Sequence, residues 1–126
     1  MKRELLVRMF RTPDGTVLKS QSRHDYASHV DANGDTYMID GGTSYLRISV
    51  NKIPMEDISV WSDDPIEEVR EHLLRYSVDG PVLLKDMTLE HLVGCISYND
   101  ERGHGTCMHN IQYAREIAYR FEHGLM

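Results

Sequence analysis

Apolar and polar positions alternate through the first part of the chain, and the period then lengthens. In Glu4 to Arg11 (ELLVRMFR), Leu6, Arg8 and Phe10 alternate with Leu5, Val7 and Met9, the two-residue repeat of a strand. Thr12-Pro13-Asp14-Gly15 follows as a turn, with proline suited to the first corner and Asp-Gly to the second. The pattern predicts a second strand from Thr16 to about Val30, then a turn at Asp31-Ala32-Asn33-Gly34, where Asn-Gly is a strong hairpin signal. Thr36 to Ile39 reads as a third strand, stopped by Asp40-Gly41-Gly42. Tyr45 to Val50 fits a strand or one helical turn equally well, and Asp57 to Ser62 alternates as a further strand.

From Asp64 the repeat is helical. Asp64 is the expected N-cap, Pro65 the first helical residue and Glu67 the far member of a capping box, with Ile66, Val69, Leu73 and Tyr76 on one face. Asp79-Gly80-Pro81 puts Ser77 to Asp86 in a loop, with room for a short extended piece at Val82 to Leu84. Thr88 caps a second helix whose Leu89, Leu92, Val93 and Ile96 share a face. Asn99 to Thr106 is a polar loop, and Cys107 to His123 a third helix with Ile111, Ala114, Ala118 and Phe121 inward and Gly124 as its stop. Strands first and helices after give an α+β class. One domain is expected over residues 1–126, with an N-terminal antiparallel sheet of four or five strands over about 1–62 and two or three C-terminal helices packed on it over about 63–126.

Composition narrows the function. The net charge of −6 argues against a general binder of nucleic-acid polymers or anionic membranes, which work through a basic field, but leaves room for a small anion held by two or three arginines. No run reaches membrane-spanning length, and no apolar signal segment opens the chain. Cys95 and Cys107 form no C-x-x-C pair and read as reduced thiols of a cytosolic protein.

Candidate chemistry is densest from Arg23 to Asn51. Arg23, His24, Asp25, Tyr26 and His29 precede two turns, and Tyr45, Arg47 and Asn51 close the stretch. On a regular second strand, Lys19, Gln21, Arg23 and Asp25 would share one face. Arg47 follows a Gly-Gly turn whose amides can form an anion nest, while Tyr26 and Tyr45 offer faces for a base. The competing reading is a solvated strand face with routine ion pairs.

Seven histidines raise the question of metal. On a regular strand, His24 and His29 point to opposite faces, and the His104/Cys107/His109 spacing matches no specific structural zinc pattern, so no metal site and no cofactor are expected. Nucleophilic catalysis through His24 and Asp25, or through Cys107 and His109 at a helix start, is the enzymatic alternative; neither pair has an obvious orienting group, and no G-x-S-x-G elbow exists. No catalytic residue is assigned. On the last helix, Arg115 and Arg120 lie off the apolar stripe near Tyr113 and Tyr119, as a solvated face or as cover for a neighbouring subunit's sheet.

The segments Asp14 to Leu18 (DGTVL), Arg23 to Tyr26 (RHDY), Asn33-Gly34, Asp40 to Gly42 and Tyr45 to Arg47 (YLR) resemble those of a family of small phage-encoded proteins. A looser likeness runs through Asp63-Asp64-Pro65 and Glu90-His91-Leu92, whereas Asn99 to His109 departs from it. In layout and size the chain also looks like the Thoeris anti-defence family of phage sponge proteins. That resemblance implies a homo-oligomer in the cytoplasm of an infected bacterium, with pockets at subunit interfaces. Such a protein would sequester a cyclic ADP-ribose type signal, or a cyclic oligonucleotide, without cleaving it. The residues whose chemistry suits this role are Arg23, His24, Asp25, Tyr26, Tyr45, Arg47, Asn51, His91 and Arg115. The remaining alternatives are a small phage enzyme acting on a nucleotide or phosphoester, and a structural or interaction protein.

Overall fold

The computed structural model describes residues 3–105 and 107–125. The chain divides into two compact units, Arg3–Trp61 and Ser62–Met126. Antiparallel sheets fill the first and helices dominate the second, so the class is α+β.

In the N-terminal unit, β1 (Leu5–Arg11) is the central strand of a four-stranded antiparallel sheet. It pairs with β2 (Val17–Ser20) through the Pro13-Asp14-Gly15 turn and, on its other side, with β6 (Glu56–Asp57) and β7 (Val60–Trp61). The strand expected over Asp57 to Ser62 is thus two short strands. A second sheet has the order β3 (Ala27–Val30), β4 (Thr36–Asp40), β5 (Arg47–Ile48), with the Asn33-Gly34 hairpin where the sequence places it. Phe10 and Leu18 from the first sheet meet Tyr37 and Ile39 from the second, and Ala27 and Met55 pack against this cluster. The ambiguous Tyr45 to Val50 segment therefore contains an edge strand.

The expected strand from Thr16 to Val30 is broken. Residues 22–25 form a turn, closed by the Asp25 amide on the Ser22 carbonyl at 3.1 Å, and the chain leaves one sheet to join the other. The break is held from outside the segment: the Thr43 amide donates to the Gln21 carbonyl at 3.1 Å, and the Gly42 amide to Ser20 Oγ at 2.8 Å. Lys19, Gln21, Arg23 and Asp25 consequently do not line one regular strand face.

In the C-terminal unit, α1 (Ile66–His72) is capped by Pro65 with no side-chain bond, instead of by Asp64. It ends earlier than its apolar spacing suggests. Tyr76 belongs to β8 (Leu74–Ser77), which pairs with β9 (Gly80–Leu83) in a hairpin where the sequence suggested a loop. Gly80 at φ 107° supplies the turn. After a 3-10 turn at Leu84–Asp86 comes α2 (Leu89–Glu101), capped as expected by Thr88, whose hydroxyl accepts from the His91 amide at 3.1 Å. This helix extends into the expected Asn99 to Thr106 loop, and Thr106 lies outside the described residues. The last helix, α3 (Met108–Glu122), is closed by Gly124 at φ 65° and by the Leu125 amide on the Arg120 carbonyl.

The buried face of α3 is the reverse of the expected one. Asn110, Gln112, Tyr113, Glu116 and Arg120 are buried, whereas Ala114 and Ala118 are exposed and Phe121 is 77% exposed. Glu116 lies at the centre of the buried face. Its carboxylate receives Arg70 Nε at 2.8 Å and Arg120 Nε at 2.7 Å, and Arg120 also donates to the Leu84 and Lys85 carbonyls at 3.1 Å. Arg70 lies over the Tyr119 ring at 4.4 Å. A buried charge supplied with this many partners is tolerated, and its network then decides which face turns inward.

Candidate functional site

The residues singled out from sequence fall into both units. Seven of them, Arg23, His24, Asp25, Tyr26, Tyr45, Arg47 and Asn51, belong to the N-terminal unit, and His91 and Arg115 to the C-terminal one. The N-terminal group centres on two turns pressed together. Gly42 packs so tightly on the chain at Gln21 and Ser22 that a Cβ there would overlap both carbonyl oxygens. Gly41, at φ 105°, is similarly closed in by Tyr45.

This contact carries the Ser22–Asp25 turn, and His24 stands in it at φ 65°. That region favours glycine, and a residue with a Cβ enters it at a cost of about 1–3 kcal/mol. The His24 ring meets the Tyr45 ring edge-on, with centroids 5.8 Å apart, and Nδ1 lies 2.9 Å from the phenolic oxygen. The Tyr45 hydroxyl in turn donates to Asp40 Oδ2 at 3.3 Å. Arg47, opposite Asp40 in the β4–β5 register, brings its guanidinium to 3.9 Å from the same oxygen.

Burial, then the neighbouring Asp40 charge and hydrogen bond, push the Tyr45 phenol above its ordinary pKa, with Arg47 and Arg23 pulling the other way. Both guanidinium groups therefore act on the same phenol, although Arg23 and Arg47 stand 24 residues apart in sequence. Arg23, His24, Tyr26 and Arg47 are exposed, Tyr45 is half-buried and Asp40 is buried. The result is a cationic and aromatic surface over a buried carboxylate.

Other members of the expected set serve the framework. Asp25 Oδ2 accepts from the Gln21 amide at 3.1 Å, and its carbonyl accepts from the Ser20 hydroxyl. Asn51 donates to the Thr36 carbonyl at 2.8 Å and accepts from Ser49 Oγ at 2.6 Å, tying the chain beyond β5 to β4. Arg115 donates to the Ser62 and Asp64 carbonyls at 3.1 and 2.7 Å, and to Gln112 at 2.7 Å. His91 sits half-buried in the first turn of α2. Cys107 caps α3, and the His109 ring tilts against Tyr113 at 6.4 Å.

In sequence, Asp40 ends a strand and opens the Asp40 to Gly42 segment of the family resemblance, but it is not among the candidate site residues. His29 is absorbed elsewhere: its Nε2 lies 2.7 Å from Asp14 Oδ2 and 3.2 Å from Thr16 Oγ1, fastening β3 to the β1–β2 turn. Among the described residues, no group of three or more His, Cys, Asp and Glu is arranged to hold a metal ion, and no helix is long and apolar enough to cross a membrane.

Compared with known proteins, the chain matches no family model, no curated protein and no solved structure.

Proposed function

We propose that this protein binds a small cyclic nucleotide signal of the cyclic ADP-ribose type and sequesters it without cleavage, as a phage anti-defence protein acting in the cytoplasm of its host. The observation that carries the reading is His24. A histidine held at φ 65° in an exposed turn, braced against Tyr45 and flanked by Arg23, is a strained feature that a glycine would relieve. Strain of this kind is kept where a side chain has work to do.

The surface has the groups a nucleotide needs. Arg23 and Arg47 suit a pyrophosphate through charge-assisted hydrogen bonds, and Tyr26 and Tyr45 suit a base. A sponge breaks no bond, so the reading calls for no general acid or base. It also calls for a second copy of the chain. The exposed face of α3, with Ala114, Ala118 and Phe121 at alternating spacings of four and three residues, suits a helical partner.

The test is a thermal-shift screen with cyclic ADP-ribose isomers, cyclic dinucleotides and cyclic trinucleotides, followed by recovery of the ligand from heat-denatured protein. A large shift with the ligand returned intact is expected, since a ligand that binds only the folded state raises Tm. Altered ligand would make the protein an enzyme. Absence of any shift would sink the nucleotide reading.

A further inference from the structure

The phenol of Tyr45 lies between two partners, and it has one hydrogen. Asp40 Oδ2, 3.3 Å away, belongs to a carboxylate that accepts and has nothing to give, so the hydrogen goes there. The phenol's raised pKa keeps that hydrogen in place at neutral pH. The 2.9 Å contact between the phenolic oxygen and His24 Nδ1 then requires the imidazole to donate. This is the opposite of the tautomer that predominates in unconstrained histidine.

We infer that Tyr45 is a positioning residue that fixes His24 with its hydrogen on Nδ1, so that Nε2 meets the ligand as an acceptor and selects a hydroxyl or N–H group. The inference deepens the nucleotide reading and rests on it for the identity of the ligand. It divides the labour of the site: Arg23 and Arg47 take the phosphates, and His24 reads a ribose hydroxyl or a base N–H. The ring sits among groups of both charges. The charged groups around it are Arg23 and Asp25 on its own turn and, across from it, Asp40 and Arg47. Asp25 is turned to the Gln21 amide, and Asp40 is shared between Tyr45 and Arg47.

Two measurements test this. Long-range proton–nitrogen NMR on the ligand-free protein at about pH 8 should show His24 protonated at Nδ1 and bare at Nε2. In Tyr45→Phe, which removes the acceptor, the hydrogen should move to Nε2. A wild-type ring already protonated at Nε2 overturns the inference whatever the ligand is. Calorimetry with cyclic ADP-ribose as the probe should then show affinity falling by about tenfold or more between about pH 8 and about pH 5, because a protonated Nε2 cannot accept. Affinity that rises on acidification would mean that His24 donates to a phosphate, and would overturn the acceptor role. If the probe does not bind while the Nδ1–H ring is seen, the sequestration reading falls and the tautomer stands.

Discussion

Gly42 lies against Gln21 so closely that any side chain at Gly42 would collide with the Gln21 carbonyl oxygen, which is already occupied by the Thr43 amide at 3.1 Å. This contact presses the Ser22–Asp25 turn onto the Gly41-Gly42 turn and fixes where Arg23 and His24 stand. Gly42→Ala should therefore cost at least about 2 kcal/mol, because the obstacle is backbone and cannot rotate away. Urea denaturation reads the loss. A variant as stable as the wild type would show that the two turns are not in contact in solution.

His24→Gly separates strain from function. Glycine adopts a positive φ freely, so the variant should be as stable as the wild type or more stable by up to about 1 kcal/mol. The same change removes the ring from Tyr45 and should weaken capture of cyclic ADP-ribose. Thermal unfolding and calorimetry on one preparation give both numbers. A destabilised variant would mean that the ring contact outweighs the strain.

Arg23→Ala and Arg47→Ala each remove a guanidinium from an exposed position. Each should lower ligand affinity by about 2–4 kcal/mol, as for a lost charge-assisted contact, and leave the circular dichroism spectrum unchanged. Unchanged calorimetric affinity in both variants would remove the phosphate role from these residues.

Glu116 is fully buried between Arg70 and Arg120. Glu116→Ala leaves two guanidinium groups facing each other without their carboxylate and should destabilise the protein by about 3–5 kcal/mol. Chemical denaturation is the check, with Glu122→Ala on the exposed side of α3 as the control expected to change little. A loss no larger than the control's would show that the network does not anchor α3.

Acid should loosen the N-terminal unit through Asp14. The Thr12 hydroxyl, then His29 and the Thr16 amide hold its carboxyl well below its ordinary value of 3.8. A carboxylate with a depressed pKa contributes stability that is complete above the unfolded value and is lost as pH falls through the folded one. Denaturation series carried from neutral pH down to about pH 2 should show the gap between the wild type and Asp14→Asn constant above about pH 5 and closing as pH falls below about 4. Parallel curves over that range would mean that Asp14 contributes nothing.

Local chemistry made several elements legible. The Pro13-Asp14-Gly15 and Asn33-Gly34 turns, the Thr88 cap and the Gly124 stop each rest on one or two residues whose backbone preferences act at their own position. The succession of N-terminal sheets and C-terminal helices was legible from the hydrophobic period together with the turn and cap residues, but the β8–β9 hairpin between α1 and α2 was not. Tertiary structure decided what depends on partners far along the chain. The strand beginning at Thr16 ends where Thr43, some twenty residues later, takes the Gln21 backbone carbonyl and the Gly42 amide donates to the Ser20 hydroxyl. The stripe of Ile111, Ala114, Ala118 and Phe121 predicted the wrong inner face of α3, because Arg70, 46 residues before Glu116, supplies a charge that makes burying a carboxylate feasible. The same holds for the site: Arg23, His24, Tyr45 and Arg47 are legible as candidates in the sequence, and only folding set a buried Asp40 beneath Tyr45 and the His24 ring against the Tyr45 hydroxyl, because these contacts join residues from separate turns and strands.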